Sequence, residues 1–290
     1  MVRLLLTSWL LFIAQFTYAS IEVIDDAGHI VRLNEPAQRI ISLAPNITEI
    51  LFHIGAGEKI VGADEYSNYP PPAKQIVRVN NHATANFELI LSLRPDLVIA
   101  WQSGNGETIV RRIRELGIPI FLVESRRLSD IPELFRQLGE LSGQSSRAQQ
   151  KADMFEKELY RLRELNKFKP TVKTFFQVWS DPLMTLNGEH MVSDVIKLCG
   201  GVNIFARALP LVPYVNVEAV LAADPQVIIA GGGQQEQKLE IAKWQKWPSL
   251  SAVKNHHIYT IPSDLVQRHS DRILDGVKIM CDYFDRVRTK

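Results

Sequence analysis

The feature that most constrains this chain is a segment it repeats. Glu88-Leu-Ile-Leu-Ser-Leu-Arg-Pro95-Asp-Leu-Val-Ile-Ala100 is echoed in register, without a gap, by Glu218-Ala-Val-Leu-Ala-Ala-Asp-Pro225-Gln-Val-Ile-Ile-Ala230. Each copy reads as a short helix stopped ahead of a proline and followed by a Val/Ile run, which is a helix feeding a buried strand. Asn86 and Asn216 stand two residues before the glutamates, where an asparagine side chain accepts from the free N–H groups of a helix start. One helix–strand unit is common in α/β chains; two in register with the same cap predict two related lobes.

The rest of the chain follows the same grammar. Residues 21–33 alternate around Asp26-Ala27-Gly28 and predict an opening hairpin. Strands are expected over 39–44, 59–63, 97–101 and 118–123, with helices over 46–54, 87–93 and 107–116 ended by Gly55 or Gly117. That is βαβ order, hence an α/β fold with mainly parallel sheets flanked by helices. From Ile131 to Leu165 the chain is charged and helical, interrupted only by Gly139 and Gly143. A helix over 145–165 is roughly 30 Å long, the width of a small domain, and predicts a stiff bridge that restricts hinge opening. A second series follows: strands over 173–179 and 227–230, and helices over 191–198 and 271–287. The expected division is an N-terminal α/β lobe over 21–142, one long bridging helix over 143–168 and a C-terminal α/β lobe over 169–290. A cleft between such lobes is a favoured place for a ligand.

The first residues carry Arg3, an apolar run from Leu4 to Phe16, and small residues at Ala19 and Ser20. This predicts a secretory signal peptide over 1–20, since the run is shorter than the roughly 20 residues a spanning helix needs. No cysteine stands at the expected cut, so the mature protein is expected to be soluble in the periplasm. A net charge of +1 implies no basic face for nucleic acid. The two cysteines, Cys199 and Cys281, are expected to form one disulfide in an exported chain.

Enzyme signatures are missing. Gly231-Gly232-Gly233 lacks a phosphate-loop pattern, His256-His257 has no metal-ligand spacing, and no nucleophile elbow occurs. The expectation is a binding protein with no catalytic residues, resident cofactor or metal.

Three strings in order, Tyr66-Ser-Asn-Tyr69-Pro-Pro, then Leu93-Arg-Pro-Asp-Leu-Val-Ile-Ala-Trp101 with Gly104-Asn105, then Leu198-Cys199-Gly-Gly201-Val-Asn-Ile-Phe205, resemble the periplasmic cobalamin-binding proteins. These are vitamin-uptake members of the helical-backbone metal-receptor class of binding proteins, and the resemblance runs from about Arg39 to the end. It implies two lobes, a bridging helix, a shallow cleft for cobalamin or a related corrinoid, and delivery to the permease dimer of an ATP-driven (ABC) importer in the inner membrane, with the binding protein a monomer. By position it implies that Tyr66, Trp101, Phe205, Asp264 and Arg268 line the cleft. Aromatic walls suit a broad ring with amide arms. The chain departs from the family at His82 and Val212, where tryptophans are expected; His82 is placed with the ligand-facing residues, and its imidazole is a candidate for coordinating a metal centre. Glu88 and Glu218 match the lobe-tip glutamates that meet permease arginines. The alternative within the fold is a receptor for haem or a ferric siderophore, with Tyr66, Tyr69, His82 or His269 available as haem ligands.

Overall fold

The computed structural model describes residues 20–81, 84–232, 239–240 and 242–289. His82 and all of the expected signal peptide except Ser20 lie outside them. The opening hairpin pairs β1 (Ile21–Ile24) antiparallel with β2 (Ile30–Leu33). Asp25 shapes its turn by accepting the Ala27 and His29 N–H groups.

Strands β3 (Ile40–Ser42), β4 (Ile60–Asp64), β5 (Arg78–Asn80), β6 (Leu97–Trp101) and β7 (Ile120–Val123) form a parallel sheet in the order β5-β4-β3-β6-β7. Helices α1 (Pro45–His53), α2 (Phe87–Ser92) and α3 (Gln102–Glu115) connect them. β3, β6 and β7 are buried along their length except at Trp101, which is why they read as unbroken apolar runs. α1 opens on Pro45, whose missing N–H is no loss in a first turn. α3 starts at Gln102 rather than 107, because the chain turns straight off β6 and absorbs a kink at Gly106, φ 74°.

α4 (Asp130–Ser142) and α5 (Ser145–Asn166) fold back on each other through Gly143, φ 70°. Gly139 does not break α4; a Cβ there would stand 2.3 Å from Ala148 Cβ, so the glycine lets the two helices touch. α5 buries Ala148, Ala152, Phe155, Leu159 and Leu162 along one stripe and extends about 33 Å at 1.5 Å per residue.

Beyond α5, β8 (Val172–Gln177), β11 (Gly201–Asn203), β12 (Val227–Gly231) and β13 (Ile258–Ile261) form a second parallel sheet, ordered β11-β8-β12-β13. The strand expected over 173–179 ends at Gln177; Trp179 belongs to a separate hairpin of β9 (Trp179–Ser180) and β10 (Leu183–Met184). Helices α6 (Met191–Leu198), α7 (Val217–Ala223), α8 (Ser251–Lys254) and α9 (Ile273–Arg288) complete this half. Cys199, at the end of α6, is bonded to Cys281 on α9.

The repeat is structural. Asn86 Oδ1 accepts the Leu89 N–H at 3.0 Å and Asn216 Oδ1 accepts the Ala219 N–H at 2.9 Å. Each repeat strand, β6 or β12, lies beside the first strand of its sheet, β3 or β8. One apolar core runs from the first sheet through α4 and α5 into the second, including Ile47, Phe135, Leu159, Val195 and Met280. Among the described residues no helix is long and apolar enough to cross a membrane.

Candidate ligand-binding cleft

In an open parallel sheet, ligands meet the carboxyl ends of strands where the strand order reverses. The first sheet reverses between β3 and β6, and the second between β8 and β12. The residues just past three of these strand ends come together: Pro45 and Asn46 after β3, Trp101 closing β6, and Val178 after β8 line one cavity of about 360 Å³. Leu186, His190, Val212, the pair Ser263 and Asp264 and the run Gln267 to His269 complete its wall. Four other hollows are larger, of about 1020 Å³ along α5, about 770 Å³ between the β1–β2 turn and the start of α3, about 560 Å³ at the start of α5 and about 450 Å³ against α3, but none is lined by residues at the strand ends of both sheets.

Trp101 is held from two sides. Its backbone N–H donates to Asn105 Oδ1 at 2.7 Å, and Asn105 Nδ2 donates to the Leu43 carbonyl just past β3. The indole lies against Gly104, where a Cβ would stand 1.9 Å from Trp101 Cε3. The Gly104-Asn105 pair thus fixes a 36% exposed tryptophan at the cavity wall.

Arg268 crosses between the halves. Its guanidinium donates to Glu49 Oε1 at 2.9 Å, to Asn68 Oδ1 at 2.8 Å and to the Tyr66 carbonyl at 3.2 Å, and pairs with Asp264 at 3.1 Å. Glu49, 2% exposed on α1, also accepts from Arg272 Nη1 at 3.0 Å and from Ser270 Oγ at 2.5 Å. Burial pushes its carboxyl up from the ordinary value, opposed by the Ser270 hydroxyl and the two guanidiniums. The Arg272 guanidinium lies 4.0 Å from the Tyr69 ring centroid. His53 Nδ1 and Asp271 Oδ2 add a further polar contact between the halves at 3.1 Å.

His190 and His269 meet edge to face with centroids 5.6 Å apart. Burial holds both below the ordinary histidine range, His190 at about 3, where His269 and Arg126 push it further down. His269 lies at about 4, with the Ser125 backbone, Glu124 and Asp130 pulling it back up. Both rings are therefore neutral at pH 7.

Of the residues expected at the cleft, Trp101, Asp264 and Arg268 line the cavity, as does Val212. Tyr66 is joined to the wall through its carbonyl, and its side chain is 51% exposed. Phe205 is not in the lining: its ring packs edge-on against Phe175 at 5.7 Å, because Asn203, bonded to the Leu186 carbonyl and the Phe205 N–H, turns the chain toward the core. Arg268 read alone is a solvated loop charge; in the fold it is 13% exposed and ion-paired. Glu88 and Glu218 are exposed in the first turns of α2 and α7. Sequence reasoning missed Glu49, Ser270, Arg272 and the His190–His269 pair. A lone acid among Ile47, Ile50 and Leu51, in the buried middle of its helix, was the available signal.

Comparison with known proteins agrees with this architecture. The periplasmic binding protein family matches residues 40–265. A vitamin B12-binding protein of Vibrio cholerae serotype O1 is 39% identical over 86% of this chain and 89% of its own length. The crystal structure of the periplasmic vitamin B12-binding protein of Vibrio cholerae superposes with a TM-score of 0.82 and 38% identity, over 88% of this chain and 99% of that one. A periplasmic haem-binding protein of Roseiflexus sp. RS-1 shares the fold at a TM-score of 0.77 and 24% identity, over 87% of this chain and 99% of that one. A family match across most of the chain, and a relative this similar over nearly its whole length, place the chain in the periplasmic binding protein family, among relatives named for vitamin B12.

Proposed function

We propose that this chain is an exported periplasmic binding protein that takes a corrinoid, cobalamin, in the cavity between its halves and passes it to an ABC importer. The reading rests above all on one coincidence. A cavity at the reversal points of both sheets, walled by Trp101 and crossed by Arg268, occurs in a chain 39% identical to a protein named for vitamin B12. Residues 1–20 act as a cleaved signal, 21–142 and 169–290 as lobes, and 143–168 as the bridge. Trp101 and Tyr66 offer flat apolar surface to the ring, while Asp264 and Arg268 stand ready for its polar arms. No residue has a catalytic role, and the protein works as a monomer.

Glu88 and Glu218 each sit in the first turn of a repeat-related helix. A carboxylate there favours the helix dipole, yet that local benefit does not require both copies to expose the same charge. One acid per lobe matches a two-fold permease surface and orients the complex more than it tightens it. The haem reading is supported at the level of fold alone.

Calorimetric titration of the purified mature protein with cyanocobalamin, with haemin followed by absorbance in parallel, tests the assignment. One-to-one heat with cyanocobalamin is expected. Silence toward it beside a haemin signal moves the substrate to haem and leaves the transport role.

A further inference from the structure

Just past β8 the chain forms a small antiparallel sheet whose register decides which side chains share a face. In the β9–β10 hairpin, Ser180 pairs with Leu183 and Trp179 with Met184. On the other side of β10, Met184 bridges Tyr214, with the Thr185 N–H on the Pro213 carbonyl at 3.1 Å and the Val215 N–H on the Leu183 carbonyl at 3.0 Å. Continued two residues on, this register sets Leu186 opposite Val212, and the Asn187 N–H donates to the Leu211 carbonyl at 2.9 Å. Side chains alternate across a sheet with period two. Trp179, Met184, Leu186, Val212 and Tyr214 therefore share one face, and Leu183, Thr185, Pro213 and Val215 the other. The second face is turned inward: Thr185 and Pro213 are buried, and Leu183 and Val215 pack against the core cluster around Phe175 and Trp244. The first face belongs to the cavity, which Leu186 and Val212 line. Val178 reaches the cavity as well through a bulge: it and Trp179 both oppose Met184, whose carbonyl accepts the Val178 N–H at 3.0 Å.

The row Trp179–Met184–Tyr214 continues this wall outward by one side-chain repeat, about 7 Å beyond Leu186 and Val212. Trp179 is 61% exposed and Tyr214 70% exposed, with Met184 half-buried between them. Large apolar side chains exposed in a contiguous row mark a contact site, whereas scattered ones need no explanation. The row is also held in place without a ligand. Trp179 Nε1 donates to the Asp181 carbonyl at 2.9 Å, Lys243 Nζ to Ser180 Oγ at 2.8 Å, and Thr185 Oγ1 to the Phe176 carbonyl at 2.7 Å. Size identifies the occupant. The cavity, about 360 Å³, lies near the lower end of the roughly 300–1,000 Å³ that drug-sized ligands fill. A corrinoid, a broad ring with amide arms, exceeds such a ligand, so much of it lies outside the cavity and against the surface that borders it. We propose that Trp179, Met184 and Tyr214 form an outer wall of the ligand site on the C-terminal half, against which the flat apolar part of the corrinoid packs. This rests on the corrinoid reading above and sharpens it, adding a wall to the surface that Trp101 and Tyr66 offer from the other half.

The test is calorimetry of cyanocobalamin with the mature wild type, Trp179→Ala, Tyr214→Ala and the double variant, beside thermal melts and hydroxyl-radical footprinting of the wild type. Each single alanine variant is expected to weaken binding about tenfold, the worth of one aromatic contact, and to melt with the wild type because both side chains are exposed. Trp179→Phe and Tyr214→Phe, which keep a flat ring, recover most of the loss. In the wild type, cyanocobalamin is expected to shield Trp179 and Tyr214 from labelling, scored against Tyr160, 66% exposed on α5. That readout needs no variant to fold. Wild-type affinity in the double variant, or labelling of both residues that cyanocobalamin leaves unchanged, overturns the wall while the corrinoid reading stands. A double variant that binds normally yet fails to support uptake in a reconstituted importer overturns it too and assigns the row to the permease. No heat with the wild type overturns the corrinoid reading and the wall with it, and is seen before any variant is compared.

Discussion

Glu49 carries a charge into an apolar helix face because three side chains from the far half of the chain, Arg268, Ser270 and Arg272, converge on its two oxygens. Removing the carboxylate leaves two guanidiniums facing each other in a confined site, and breaking such a buried pair costs about 3–5 kcal/mol. Glu49→Gln is therefore expected to lower the urea midpoint by an amount in that range without changing the m-value. The histidine pair acts at the same scale. With His190 at about 3 and His269 at about 4 in the folded protein, the unfolded chain, titrating near 6.5, binds these protons first. Their contribution to stability is complete above pH 6.5 and is lost as pH falls from there toward 4 and then 3. Denaturant titrations at pH 7 and pH 5 should differ by about 2–4 kcal/mol. The double variant His190→Gln/His269→Gln should show a flatter profile; an unchanged slope would assign the pH dependence to other groups.

At the scale of elements, the repeat places an asparagine cap and an exposed acid on both α2 and α7. The two helices show the same alternation of exposure from the cap onward. Reversing Glu88 and Glu218 to lysine is expected to leave cyanocobalamin affinity unchanged in solution and to abolish uptake in a reconstituted importer. Each helix loses no more than about 1 kcal/mol from the unfavourable dipole contact. Most element boundaries were legible in the sequence, because apolar periodicity and terminal caps are local signals. β6, α6 and both repeat helices begin where the pattern places them. The early start of α3 and the short end of β8 were not legible. Each depends on what the next segment packs against rather than on its own composition.

At the scale of the whole molecule, α5 carries the chain from one sheet to the other and shares a continuous core with both. The disulfide closes 82 residues within the C-terminal half, so its loss acts on that half and leaves the Glu49 contacts across the cleft in place. Cys199→Ser/Cys281→Ser is expected to cost about 2–5 kcal/mol of stability. Cyanocobalamin affinity should be unaffected at temperatures where the variant stays folded, as calorimetry beside a thermal melt would show. The sequence by itself determined the two α/β series, the helix between them, the repeat and the pairing of the only two cysteines, because each follows from periodicity, caps or a count. It also pointed to Trp101, Asp264 and Arg268 through resemblance. Only the tertiary structure decided which side chains share the cleft. It packed the half-buried Phe205 against Phe175, turned Arg268 from a loop charge into a clamp on Glu49, and set His190 against His269. Those partners are far apart in the chain, and burial and pairing across such distances leave no periodic trace in the sequence.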